Sequence, residues 1–256
     1  METGKLTLQG GGVYEGELVN GKPHGKGKFT GPLFDVYEGD FVDGKWNGKG
    51  KYTFPGTFVY EGDFTDGKMH GKGKYTLKKE GIIYEGDFVD EKWQGKGKMT
   101  HPDGDVYEGD FVDGKWHGKG KMTYANGDVF EGDFVDGKMH GKGIQKDKDG
   151  TVTEGDIVDG KWHGKGKMTL ANGISYEGDW FEGIMTGKGK IIRPDVLIDE
   201  GDFVDGDLHG KGKRTLPDGS VYEGDFVKGQ RTGKGKKTYP DGRVEEGYWE
   251  DGKFLG

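Results

Sequence analysis

The 256-residue chain contains no cysteine, which excludes disulfide staples and thiolate metal sites and suits a reducing compartment. Hydrophobic residues make up only 30% of it, too little to fill a thick core. No apolar run approaches the roughly 20 residues of a membrane-spanning helix, and residues 1–12 hold no signal-peptide apolar stretch. An excess of positive charge is also missing. The formal charge of −8 argues against generic binding to nucleic acid or anionic lipid, because counterion release needs a positive surface. These absences lead us to expect a cytoplasmic chain whose stability does not come from a conventional globular core.

Glycine is abundant, at 55 residues, and would signal disorder if it were scattered. Here it is periodic. A Tyr-Glu-Gly type anchor recurs at Tyr14, Tyr37, Tyr60, Tyr84, Tyr107, Phe130, Thr153, Tyr176, Asp199, Tyr222 and Glu245. The step is 23 residues except between Tyr60 and Tyr84, where it is 24 and the surplus residue falls around residues 78–81. One unit, residues 107–129, reads YEGDFVDGKWHGKGKMTYANGDV. We number its positions from the tyrosine.

Each unit has two strand-length stretches separated by Asp-Gly, with a second turn signal at its end, and so predicts a β-hairpin. Alternation places Tyr107, Gly109 and Phe111 on one face with Gly118, Gly120, Met122 and Tyr124, and Glu108, Asp110, Lys119, Lys121 and Thr123 on the other. Glycine is a poor strand former, so its regular use implies that aromatic rings lie flat over the missing side chains. Carboxylates and lysines on facing strands are expected to pair across the other side, at roughly 0.2 to 1 kcal/mol per exposed pair. The expected fold is all-β: an elongated, twisted single-layer antiparallel sheet of consecutive hairpin repeats. The expected domain is one array over 1–256, with a half-repeat at 1–13, ten repeats at 14–244 and a half-repeat at 245–256.

The run YEGDFVDGKWHGKGK resembles the MORN repeat (membrane occupation and recognition nexus), whose pattern is Tyr-x-Gly-x-Trp/Phe followed by Gly-x-x-x-Gly-x-Gly. The resemblance implies a ribbon-like solenoid that organises cytoskeletal, ciliary, cortical or membrane-junction structures, often as a homodimer, or that accompanies a kinase or methyltransferase domain. Position 5, often tryptophan in the family, is mostly phenylalanine here, as in Phe41, Phe64, Phe88 and Phe111; Trp180 and Trp249 keep the tryptophan.

Several residue constellations bear on whether the chain carries chemistry. Six histidines (His24, His70, His117, His140, His163, His209) share one repeat position, so strand spacing sets them about 10 Å or more apart. Metal coordination needs about 2 Å, and no metal site is expected. The Glu-Gly-Asp carboxylates recur in every unit, whereas a catalytic pair needs one pocket that separates its pKa values. The Gly-Lys-Gly-Lys segments lack a phosphate loop's sequence and following helix. Asp147, Asp149 and Gly150 read as a charged turn and not as a calcium loop. We therefore expect no catalytic residue, no cofactor and no enzyme activity. One enzymatic alternative is a regulatory array of a larger kinase or methyltransferase, suggested by both termini falling inside a repeat.

The expected function is a protein-binding scaffold that docks a helix or extended peptide, or self-associates, on its aromatic and glycine-rich face. Position 10 carries Trp46, Met69, Trp93, Trp116, Met139, Trp162 and Met185, a row of the residue types favoured at interfaces. Tyr107, Phe111 and Tyr124 stand for the neighbouring groove. A homodimer is expected from the open sheet edges. Residues 208–243 hold nine Lys/Arg against four Asp/Glu. Lys211, Lys213, Arg214, Arg231, Lys234, Lys236 and Lys237 therefore form the candidate anionic-lipid patch of a less favoured membrane-adaptor reading. Cytoskeletal, ciliary or membrane association follows from the resemblance alone.

Overall fold

The structure, a computed structural model, describes residues 2–256; Met1 of the opening half-repeat lies outside the described residues. Among those residues there is no helix, and 23 strands belong to one antiparallel sheet of consecutive hairpins. The chain divides into two compact units, residues up to Ala125 with Phe134–Gly137, and Asn126–Asp133 with Lys138–Gly256.

Within the first unit, the hairpin Val106–Val112 and Lys115–Thr123 illustrates how the repeat folds. Asp113 and Gly114 both take positive φ, 50° and 81°, the type I′ geometry whose twist suits a two-residue hairpin. The Gly114 N–H donates to the Trp93 carbonyl of the preceding repeat at 3.0 Å, so each turn is tied to its neighbour.

The second strand of the hairpin is bulged. Gly109 pairs with Gly120 and Asp110 with His117, which leaves Gly118 and Lys119 over. Towards the following hairpin the same kind of strand keeps regular register, as where Gly95 faces Phe111. A glycine is needed at the bulge because φ is +61° at Gly118, a conformation that a Cβ penalises. The bulge also explains the aspartate at position 4. The Asp87 carboxylate accepts the bulge N–H of Lys96 at 3.2 Å and pairs with the Lys72 ammonium of the preceding repeat at 2.6 Å.

The second unit uses the same hairpins with more exceptions. Its buried cluster joins Tyr176, Trp180, Ile191, Phe203, Leu208, Tyr222, Phe226 and Trp249. Four of its six anchor positions lack tyrosine and carry Phe130, Thr153, Asp199 and Glu245 instead. Asp199 is buried and held by Arg214 at 2.6 and 2.9 Å and by Arg193 at 3.1 Å. A buried carboxylate is tolerable only when its oxygens are filled in this way. The turn at Asp147 has a local explanation too: Asp149 accepts the Thr151 N–H at 2.8 Å and Asp147 accepts from Gln145 at 2.6 Å.

Candidate partner-binding face

The aromatic face of the first unit is built in layers. Its floor is backbone glycine. A Cβ added at Gly97 would lie 2.5 Å from the Tyr84 ring, and one at Gly86 would lie 2.6 Å from the Gly97 Cα. Only glycine at both positions lets the tyrosine lie flat. The phenol is then anchored, because Tyr84 donates to the Asp87 carbonyl at 2.9 Å, as Tyr37 does to Asp40 and Tyr60 to Asp63. Burial raises the Tyr37, Tyr60, Tyr84 and Tyr107 phenols well above their ordinary pKa, and the aspartate three residues on adds to the rise in each.

Phenylalanine at position 5 links the tyrosines. Phe88 meets Tyr84 edge-on at 5.2 Å and Tyr60 at 4.9 Å; Phe111 meets Tyr107 at 5.2 Å and Tyr84 at 4.9 Å. Such edge contacts add about 0.5 to 1.5 kcal/mol each beyond area burial. The outer layer is the position-10 tryptophan. Trp46 stacks on Tyr37 at 4.5 Å with 8° between planes, Trp93 on Tyr84 at 4.6 Å and 10°, and Trp116 on Tyr107 at 4.8 Å and 16°. Each tyrosine therefore lies between backbone and indole.

This layering sorts the expected contact residues. Tyr107 and Phe111 are fully buried and lie beneath the surface a partner could touch. Trp46, Trp93 and Trp116 are half-buried, as are Met69 and Tyr124 in the same unit. In the second unit, Met139, Trp162 and Met185 are half-buried, and the last two pack against the buried cluster. The phenol anchor and the face-to-face indole stack were not foreseen from sequence. Their sequence signal is the co-occurrence of tyrosine at position 1, glycine at 14 and tryptophan at 10.

The seven cations proposed for lipid do not form one patch, because the register divides them between faces. Lys211 pairs with Asp225 at 2.7 Å and Lys236 with Glu246 at 3.8 Å. Lys213 lies opposite Glu223 in the sheet, and the Lys234 ammonium sits 5.7 Å from the Tyr248 ring centroid. Arg214, Arg231 and Lys237 stand instead among the aromatic rings: Arg214 over Phe226, Arg231 over Trp249 and Lys237 over Tyr239.

A profile of the MORN repeat matches ten consecutive segments, 14–32, 37–56, 60–81, 84–106, 107–129, 130–152, 154–175, 176–195, 200–221 and 222–242. The chain belongs to the MORN repeat family. No curated protein matches this MORN chain in sequence. Among solved structures, the wild-type TCP10 domain of Danio rerio CPAP in complex with a STIL peptide is similar at 15% identity. Its TM-score is 0.44, with 97% of this chain and 100% of that chain covered. The Drosophila melanogaster SAS-4 TCP domain in complex with a proline-rich motif of Ana2 is similar at 13% identity. There the TM-score is 0.41, with 70% and 90% covered.

Proposed function

We propose that this MORN array is a non-enzymatic scaffold that docks a helix or extended peptide of a protein partner on its aromatic face. Trp46, Met69, Trp93, Trp116 and Tyr124 make the contact in the first unit, and Met139, Trp162 and Met185 in the second. Tyr107 and Phe111 act from below, holding the indoles in place. The observation that carries this reading is the stack of a half-buried tryptophan on a fully buried, hydrogen-bonded tyrosine, repeated at Trp46, Trp93 and Trp116. Rings held this way lose little side-chain entropy when a partner covers them, and tryptophan and methionine are favoured at interface centres. Family membership supports the repeat-scaffold role in general terms. The recurring position-4 carboxylates support the absence of catalysis, since Asp40, Asp63, Asp87 and Asp179 each cap a bulge.

We place the protein in the cytoplasm, in association with the cytoskeleton, and hold self-association through the same face as the second reading. The test is capture of partners from the source cells with the intact chain and with a Trp93→Ala/Trp116→Ala/Trp162→Ala variant of unchanged circular dichroism. The docking reading expects the variant to lose the partners. Equal recovery of the same partners by both proteins would remove the tryptophan row from the interface. Light scattering decides self-association: a monomer at micromolar concentration excludes it.

A further inference from the structure

The position-10 row changes character at its end, where Arg231 takes the place that Trp93 has over Tyr84. Its guanidinium carbon lies 4.8 Å from the Trp249 ring centroid and 5.6 Å from that of Tyr222, and its Nη2 donates to the Gly252 carbonyl at 2.7 Å. Among the described residues no carboxylate comes within ion-pair distance of it. Two strands away, across Val221–Val227, stands Arg214, whose acidic partner Asp199 already takes both Arg214 and Arg193. Burial, and then the charge of Arg214, lower the pKa of the Arg231 guanidinium. On the same face, the Lys237 ammonium stands 4.1 Å from the Tyr239 centroid with no ion pair of its own among the described residues. Glu245 lies opposite Lys237 in the sheet, Asp218 also lies near Lys237, and Arg243, over the same Tyr239 ring at 4.7 Å, is paired with Asp241. Five cations, Arg193, Arg214, Arg231, Lys237 and Arg243, thus share the stretch with four acids, Asp199, Asp218, Asp241 and Glu245, and Arg231 and Lys237 are the two without an ion pair among the described residues. The positions that match these two in the first unit are aromatic or apolar.

We propose that this stretch of the second unit binds a carboxylate-rich peptide segment, whose acidic side chains pair with Arg231 and Lys237 above the Tyr222, Trp249 and Tyr239 rings. The inference deepens the docking reading by giving the partner a chemistry. Charge complementarity carries it: a desolvated guanidinium beside a second one gains a charge-assisted hydrogen bond from an incoming carboxylate. The Trp249 and Tyr222 rings and the Gly252 carbonyl already hold the guanidinium in place for that bond. A bilayer surface is disfavoured because the more exposed cations that would broaden the patch, Lys211 and Lys236, are paired with acids on the opposite face.

The probe is a short fluorescein-labelled peptide in which glutamates alternate with leucine and serine, and its control carries glutamine at every glutamate. Fluorescence polarisation with the full chain is expected to give at least about tenfold tighter binding of the glutamate peptide. Arg231→Gln/Lys237→Gln is expected to abolish the preference, and Lys211→Gln/Lys236→Gln to leave it unchanged. Arg231→Trp restores the ring used at this position in other repeats, so it should stay folded while weakening the glutamate peptide about tenfold even if the double variant unfolds. The tryptophan-row variant should bind the glutamate peptide as before, so loss of that row from the interface and failure of this site are separable outcomes. Equal affinity for the two peptides, or equal weakening by the two double variants, overturns the proposal. So does binding to phosphatidylserine vesicles, sensitive to Arg231→Trp, when the glutamate peptide does not bind.

Discussion

At the residue scale, glycine here supplies space in some places and conformation in others, and the two uses have different costs. Gly97→Ala puts a methyl 2.5 Å from the Tyr84 ring, so urea unfolding should show a loss of about 1 to 3 kcal/mol. Gly114→Ala meets nothing within 4 Å but keeps φ at +81°, and should cost nearer 1 kcal/mol. Equal losses would contradict the layered packing. Glu91 tests the same logic in reverse. It sits at φ +70° where other turns have glycine, so Glu91→Gly should raise stability by up to about 1 kcal/mol. The tyrosines also set a pH limit. Burial, and then the charge of Asp179, push the Tyr176 phenol up to about 12 from its ordinary value of 10.0. A phenol whose folded pKa is raised favours folding fully below the unfolded value and loses that contribution as pH climbs from about 10 to about 12. Thermal melts should therefore fall across that window, and a flat profile would mean that the phenols are not held as described.

At the element scale, the 23-residue period, the hairpins and the flat rings over glycine can all be read from the sequence. They depend on turn chemistry and two-residue alternation, which are local. The two-residue bulge could not be read, because Gly118 continues the alternation and only the pairing of Gly109 with Gly120 and Asp110 with His117 reveals the slip. The C-terminal cations look like one patch for a different reason: composition groups them, whereas alternation alone already puts adjacent Lys236 and Lys237 on opposite faces, as the pairing then shows. The bulge makes its own prediction. Asp87→Ala removes both the acceptor for the Lys96 N–H and the partner of Lys72, and should cost about 1 to 2 kcal/mol. Acid should act through these same groups. The Lys165 ammonium holds the Asp179 carboxyl below the usual range, a contribution present above the ordinary carboxylate pKa and lost as pH falls through the depressed one. Modularity follows as well: deleting residues 84–106, one full period, should leave a folded protein by circular dichroism, whereas deleting half of it should not.

At the scale of the whole molecule, stability comes from many similar terms and not from one core, so specificity has to come from where the repeats differ. The first unit offers indoles stacked on buried tyrosines; the second offers methionines, Trp162 and the Arg231 and Lys237 cations. A scaffold with both surfaces can engage one segment through ring burial and another through charge. The most direct measurement is recovery of partner proteins from source cells by three folded versions of the full chain. These are the native protein, the Trp93→Ala/Trp116→Ala/Trp162→Ala variant, and a control with Lys49→Gln, Lys72→Gln and Lys96→Gln on the opposite face. Docking on the aromatic face predicts loss of partners only with the tryptophan variant. Undiminished recovery with that variant, or the same loss with the lysine control, would contradict it.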